Sequence, residues 1–278
     1  MDVVDISDPA DPRLDDLRDL NHSDRRPDLP GGRGLVIAEG TYVVGRMLLS
    51  RFRPHVLLGT DTRLHQLRRE ATAEGWDADE QARGAVYLRT TKDVLSEVIG
   101  FRSSRDILAA ADRPAPLEVE RVVSGARTLL VLEGVNDPEN LGAIFRNCAA
   151  LGVDGVLFGA ATGDPLYRRV VRVSMGHVLR LPFAHLPGTP TTWQHALAEL
   201  HRRGFHLVAL TPSADTPLPH AVEAEKVAFV VGAEGPGLTE HAMRACTVRA
   251  AIPMTPGTDS LNVATAAAVA FYERARRV

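Results

Sequence analysis

From Ala126 to the end of the chain, short apolar runs alternate with helical patterns, and this alternation constrains the fold more than any other feature. The runs are RTLLVLEGV, DGVLFG, FHLVALT, KVAFVVG and VRAAIPM. Between them lie LGAIFRNCAALG, TWQHALAELHRRG, TEHAMRAC and LNVATAAAVAFYERARR, whose apolar residues recur at helical spacing. Isolated strands leave backbone groups unpaired, and a helical connection returns the chain so that the next strand pairs in parallel. The pattern therefore predicts an α/β domain: a mostly parallel sheet covered by helices on both faces. Ligands of such sheets bind at the carboxyl ends of the strands. The distinctive residues of this half fall there.

The preceding part has a different texture. Residues 1–30 are acidic, carry Pro9, Pro12, Pro27 and Pro30, and show little periodicity, so they read as an arm. From Gly34, GLVIAEG, HVLLGT and GAVYLRT read as strands, while TYVVGRMLLSRF, Arg63–Gly75 and TKDVLSEVIGF read as helices. These predict a smaller α/β unit over residues 31–115. The two prolines of DRPAPLEVE mark its exit, with a linker at 116–125 and the second domain at 126–278. No internal repeat or low-complexity tract interrupts this order.

At 278 residues the chain suits two modest domains, and 45% hydrophobic with 24% charged residues is ordinary for a globular protein. No stretch approaches the roughly 20 apolar residues of a membrane span. The acidic start lacks the basic-then-apolar order of a signal peptide. Cys148 and Cys246 are the only cysteines and have no CxxC spacing, which argues against a zinc site or disulfide scaffold and for a reduced, cytoplasmic protein. The net charge, 32 − 35 = −3, does not advertise a nucleic-acid binder. Yet Arg51, Arg53, Arg63, Arg68 and Arg69 fall close together, as do Arg168, Arg169 and Arg172. Such clusters can grip phosphates, or simply be solvated helix faces.

Three segments carry candidate chemistry. In LEGVNDPENLGAIFRNCAALG, Leu132 to Gly152, a strand ends at Glu133 and a helix begins near Asn140, with Arg146 about one and a half turns further on. Asn140 and Arg146 are too offset to share a face. Alone, Arg146 reads as a surface or ion-pair residue. In FVVGAEGPGLTEHAM, Phe229 to Met243, a buried strand runs into Gly232, and Glu234 sits in a loop with Gly235, Pro236 and Gly237. Glycines there permit close backbone approach by a ligand, or simply a tight connection. The spacing is GxxGxG, not the GxGxxG dinucleotide fingerprint. In AAIPMTPGTDSLNVATAAAVAFYE, Ala251 to Glu273, a strand ends at IPM and a helix follows with Ser260 or Asn262 at its cap. The small residues of that helix suit tight packing within the chain or a subunit interface.

Together, and in this order, these segments resemble the SpoU branch of the SPOUT RNA methyltransferases over residues 126–278. The first matches through Asn140, Gly142 and Arg146, and the second through Gly232, Glu234 and Gly237. The third matches through Ile252, Pro253, Met254, Ser260, Leu261 and Asn262. RVSMGHVLRLPF is similar to a further family segment at Ser174 and Gly176, with His177 where a smaller residue is usual. The resemblance implies a C-terminal trefoil knot, an exception to the rule against threaded chains, holding a bent S-adenosylmethionine. By position, Leu210, Thr211 and Pro212, then Gly232, Ala233, Glu234 and Gly237, then Ile252, Pro253, Met254, Ser260, Leu261 and Asn262 would bind it, largely through backbone groups. It also implies a homodimer with a shared active site, no metal, and RNA as substrate.

The implied reaction is 2′-O-methylation of a ribose. The resemblance gives Arg146 the catalytic part, with Asn140, Glu234, Ser260 and Asn262 shaping the site. A guanidinium, with a pKa above about 12, is a poor base, so Arg146 is expected to orient an RNA phosphate and stabilise the developing alkoxide. The smaller unit is similar to RNA-binding domains akin to certain ribosomal proteins; a stability or dimerisation module is the plainer reading. That arrangement favours ribosomal over transfer RNA by analogy. A nucleotide-dependent dehydrogenase fails on the missing fingerprint. A non-catalytic RNA-binding or ribosome assembly factor is the other class, and would bind RNA but not S-adenosylmethionine.

Overall fold

A computed structural model describes residues 1–20, 34–255 and 257–277. The chain divides into two compact units: Met1–Ala115 with Pro165–Arg180, and Pro116–Asp164 with Leu181–Val278.

The first unit runs β1 (Asp2–Asp5), β2 (Leu35–Glu39), α1 (Thr41–Leu48), β3 (Pro54–Gly59), α2 (Asp61–Ala73), α3 (Ala78–Gln81), β4 (Val86–Arg89), α4 (Lys92–Ile99) and β5 (Ile107–Asp112). Its sheet has the order β1-β4-β3-β5-β2. β4 pairs in parallel with both β1 and β3, and β5 pairs antiparallel with β3 and β2. Thr60 and Thr91 start α2 and α4 by accepting hydrogen bonds from the backbone N–H groups of Arg63 and Val94. Gly100, at φ +80°, ends α4 in the left-handed region.

Two expectations are corrected here. The first residues are not an arm: Asp2–Asp5 forms an edge strand on β4, and a 3-10 helix at Pro12–Leu17 buries Leu14 and Leu17. With Leu20 these leucines recur every third residue, and that apolar stripe enters the core beside Val98 and Ile99. Acids and prolines around it conceal the stripe. The rest of the expected arm, with Pro27 and Pro30, lies outside the described residues. β5 is a strand that the sequence pattern does not announce, because its alanines are weak strand formers; burial of ILAAA supplies the preference instead.

The second unit begins with α5 (Val119–Val123), β6 (Thr128–Leu132), α6 (Pro138–Ala150) and β7 (Gly155–Phe158). The chain then contributes α7 (Arg168–Val173) to the first unit. It returns through β8 (Phe183–His185), α8 (Leu197–Arg202), β9 (Phe205–Leu210), β10 (Thr216–Pro217) and α9 (Leu218–Ala221). The last elements are β11 (Lys226–Val231), α10 (Glu240–Arg244), β12 (Val248–Ala251) and α11 (Val263–Ala275). The sheet order is β10-β12-β9-β11-β6-β7-β8, and every pairing is parallel.

The central strands β6 and β11 are buried along nearly their whole length, so they read as continuous apolar runs. The expected linker holds α5, because Val122 and Val123 pack into the core against β7 and β8. α7 was likewise expected with the second domain. Its Arg168 instead forms an ion pair of 2.6 Å with Glu39, the carboxylate being 5% exposed, and lies over the Phe101 ring. On the other side of the sheet order, α11 packs along α6, and the Asn147 side-chain amide donates to the Ala264 carbonyl at 3.0 Å.

Candidate active site

The carboxyl ends of β9, β11 and β12 open into a cavity of about 380 Å³. Its most constrained wall is the loop after β11. A Cβ on Gly232 would lie 2.2 Å from the Gly237 carbonyl carbon, so only glycine lets the loop fold back on the strand. The Gly237 N–H donates to the Ala233 carbonyl at 3.0 Å and closes the turn. Gly235 and Gly237 adopt φ of +91° and +70°. The loop thus brings its backbone close to the cavity.

Nearly all the residues expected at a cofactor line this space. Leu210, Thr211 and Pro212 enter from β9; Gly232, Ala233, Glu234 and Gly237 from the glycine loop; Ile252, Met254, Ser260 and Leu261 from the stretch after β12. Two expected members do not line it. Pro253 is exposed beside the cavity-lining Ile252 and Met254. Asn262 caps α11, its Oδ1 accepting from the N–H groups of Ala264 and Thr265 at 3.0 and 3.3 Å. This also decides between the two candidate caps: Asn262 holds the helix, which frees Ser260 to face the cavity.

Beside the cavity the three segments are joined by side chains. The Asn140 amide donates to Glu234 Oε2 at 2.8 Å, and the Asn262 amide donates to Asn140 Oδ1 at 2.7 Å. Asn140 is itself set by Asp137, which caps α6 by accepting from the Asn140 N–H at 2.9 Å. The helix therefore starts earlier than expected, with Pro138 at the first position, where a proline's missing N–H costs nothing. Arg146 projects from α6 into solvent, has no ion pair among the described residues, and does not line the cavity.

Ser174 and Gly176 lie elsewhere, in the turn after α7 within the first unit. Ser174 is fully buried and its hydroxyl donates to the Val171 carbonyl at 3.0 Å; Gly176 has φ +80°, and His177 starts a short 3-10 helix. Their arrangement is that of a structural turn. The clustered arginines are also mostly committed. Arg68 makes a bidentate pair with Asp79 at 2.8 and 2.9 Å, while Arg51 and Arg53 donate to the carbonyls of Ala115 and Leu48.

The sequence marks Glu133 only as the end of a strand. It is 6% exposed, and its carboxylate accepts from the Thr239 N–H at 2.8 Å, the Thr239 hydroxyl at 2.9 Å and the Trp193 ring N–H at 3.0 Å. It thereby anchors the far end of the glycine loop. A carboxylate at the carboxyl end of a buried strand was the available signal. Met243 of α10 and Ala266 of α11 also line the cavity, and only the packing of those helices reveals it. Among the described residues no three His, Cys, Asp or Glu side chains gather as metal ligands, and no helix is long and apolar enough to cross a membrane.

A fully parallel sheet with a cavity at its carboxyl edge, bounded by a glycine loop of GxxGxG spacing, defines an α/β domain whose strand ends form the candidate site. Residues 127–272 match the SpoU rRNA Methylase family. The chain is 56% identical over 280 residues to an uncharacterized tRNA/rRNA methyltransferase of Mycobacterium tuberculosis, covering 99% of this chain and 93% of that protein. It is 36% identical over 181 residues to the 23S rRNA (guanosine-2′-O-)-methyltransferase of Bordetella pertussis, covering 65% of this chain and 70% of the relative. Its fold is similar to that of an AdoMet-bound rRNA methyltransferase from Sinorhizobium meliloti, with a TM-score of 0.77 at 23% identity over 99% and 98% of the two chains. The chain belongs to the SpoU rRNA methylase family of RNA methyltransferases. Enzymes of this family use S-adenosylmethionine.

Proposed function

We propose that this chain methylates a ribose 2′-hydroxyl of RNA, ribosomal RNA in preference to transfer RNA, with S-adenosylmethionine held in the cavity of the second unit. The observation that carries this reading is the side-chain link Glu234–Asn140–Asn262, which ties all three motif segments together at the rim of one cavity. The residues fit the cofactor. Leu210, Ile252 and Leu261 offer apolar contact to a purine, and the folded glycine loop offers backbone donors and acceptors where a Cβ would block approach. When bound, S-adenosylmethionine supplies an electrophilic methyl group on a sulfonium.

The protein's part is alignment and electrostatics. The hydroxyl must meet the methyl group in line as its proton leaves. Arg146 is exposed and carries a permanent charge, so it holds an RNA phosphate and stabilises the forming alkoxide, while the proton passes to that phosphate or to solvent. Asn140, Glu234 and Asn262 fix the rim, and Ser260 faces the cavity where the ribose would enter.

Arg146 does not line the cavity of its own chain, which supports a homodimer in which each site is completed by a second copy. The exposed Val269 and Tyr272 on α11, at 37% and 59%, offer apolar surface for that pairing. The strand order supports the expected trefoil knot: β12 lies beyond β9, and the chain then returns past β11 to pack α11 on α6. The 23S rRNA relative supports the ribosomal preference.

The test is transfer of labelled methyl groups from S-adenosylmethionine into separated ribosomal and transfer RNA from a strain lacking this gene. Label in the ribosomal fraction is expected. Label in transfer RNA alone would overturn the preference, and RNA binding without cofactor binding would identify a non-catalytic binder. Arg146→Lys keeps the charge but loses the planar fork. It is expected to cut transfer at least ten-fold with cofactor affinity unchanged, and full activity would remove Arg146 from this role.

A further inference from the structure

A second cavity, of about 280 Å³, lies within the first unit, between the start of α1, the first turns of α2 and the loop leading into β5. Arg63, Gln66, Ser104 and Arg105 form its polar wall, and Tyr42 lines it while remaining 56% exposed. With more than half of Tyr42 open to solvent at the edge of the cavity, a planar group can reach its ring.

The charges around this cavity do not cancel. Asp106, 3% exposed, is held by Lys92 at 3.0 Å, and Arg63 approaches it only to 4.0 Å. The Glu39 carboxylate is taken by Arg168 at 2.6 Å. Arg105 donates to the Glu39 carbonyl at 3.3 Å and has no carboxylate partner within ion-pair distance among the described residues. Of the residues that line the cavity, two are cations, Arg63 and Arg105, and one is a carboxylate, Glu39, which Arg168 already neutralises. Arg63 donates to the Gln66 side chain and the Ser104 carbonyl, which fixes its guanidinium at the wall.

An excess of positive charge beside an exposed aromatic ring suits a ligand with both an anionic group and a flat face. The volume suits one nucleotide and is far too small for a duplex. We propose that this cavity binds a single unpaired nucleotide of the RNA substrate. Its base stacks on Tyr42 and its phosphate is held by Arg63 and Arg105. The proposal rests on the RNA methyltransferase reading and adds to it a second point of recognition, which selects substrates by an extruded nucleotide remote in the chain from the methyl-transfer motifs.

The experiment measures binding of the full-length protein, by fluorescence anisotropy at fixed salt, to a hairpin RNA carrying a one-nucleotide bulge and to the same hairpin fully paired. Bulges of all four nucleotides are tried. The wild type is expected to favour the best bulged hairpin at least five-fold. Tyr42→Ala should erase that preference and Tyr42→Phe should retain it, since stacking needs the ring and not the hydroxyl. Arg105→Gln should weaken binding and flatten its salt dependence by about one phosphate contact. Titration with S-adenosylmethionine and the urea unfolding midpoint should both be unchanged in all three variants, which shows that both units are folded.

A bulge preference that survives Tyr42→Ala would place recognition elsewhere and overturn the proposal, as would no preference in the wild type. Displacement of the RNA by polyglutamate with no effect of Tyr42→Ala would assign the cavity to an acidic protein segment instead. Methyl transfer by the wild type with unaltered RNA binding in every variant would sink this proposal alone. Failure of the wild type to bind any RNA would sink the RNA methyltransferase reading with it.

Discussion

Asn140 shows what one side chain must do at this site. It gives a hydrogen bond to Glu234 and takes one from Asn262, and a carboxamide can do both at once without charge. Asn140→Asp would set a carboxylate against Glu234. It is expected to weaken S-adenosylmethionine binding at least ten-fold by calorimetric titration, while unchanged affinity would show that the link does not shape the cavity. Sequence order singled out Asn140, Glu234 and Asn262, but not that they touch. Asn140 and Glu234 stand 94 positions apart, and no local pattern reports a pairing across that separation. Arg146 was legible as a motif residue, and its exposure follows from the helix face it occupies. Glu133 was not legible as an anchor, because its donors on Trp193 and Thr239 are brought to it only by the folded sheet.

The glycine loop is the element that joins sequence to cavity most directly, and it is held at both ends. At its start, Gly232→Ala would drive a methyl group into the Gly237 backbone. The variant is expected to lose cofactor binding by titration yet keep its circular dichroism, and retained binding would refute the close approach. At its end, Glu133→Ala would leave buried donors on Thr239 and Trp193 without an acceptor. A loss of about 2–3 kcal/mol is expected from urea unfolding, and a loss under about 0.5 kcal/mol would mean that water replaces the carboxylate. Strands buried on both faces, such as β6 and β11, were readable because burial demands continuous apolar runs. β1, β5 and β8 were not, being short, alanine-rich or at a sheet edge, where tertiary pairing overrides weak local preference.

At the scale of the whole chain, the boundary between units was the least legible feature. Pro165–Arg180 clusters with the first unit although its sequence lies inside the second, and it is held there partly by the ion pair of Arg168 and Glu39. A long-range partner of that kind leaves no trace in composition. The two thiols, Cys148 buried and Cys246 half-buried, predict a global pH response. Burial, with the nearby Glu133 charge, pushes the Cys246 thiol up to about 12, and burial alone raises Cys148 as well. Above the ordinary thiol value of 9.0 the unfolded chain loses protons that the folded chain keeps, so stability falls as pH rises from about 9 towards 12. Urea midpoints at pH 8 and pH 10.5 check this, and a midpoint that does not fall would contradict it.

The central claim is that the methyl group arrives on a ribose 2′-oxygen. That position has a direct chemical signature, since methylation removes the hydroxyl that attacks the neighbouring phosphodiester in alkali. RNA from a strain lacking the gene is incubated with labelled S-adenosylmethionine and either wild type or Arg146→Ala, then digested with alkali. The account predicts label in alkali-resistant dinucleotides with wild type and none with the variant. Label released entirely as mononucleotides would place the methyl group on a base and contradict it.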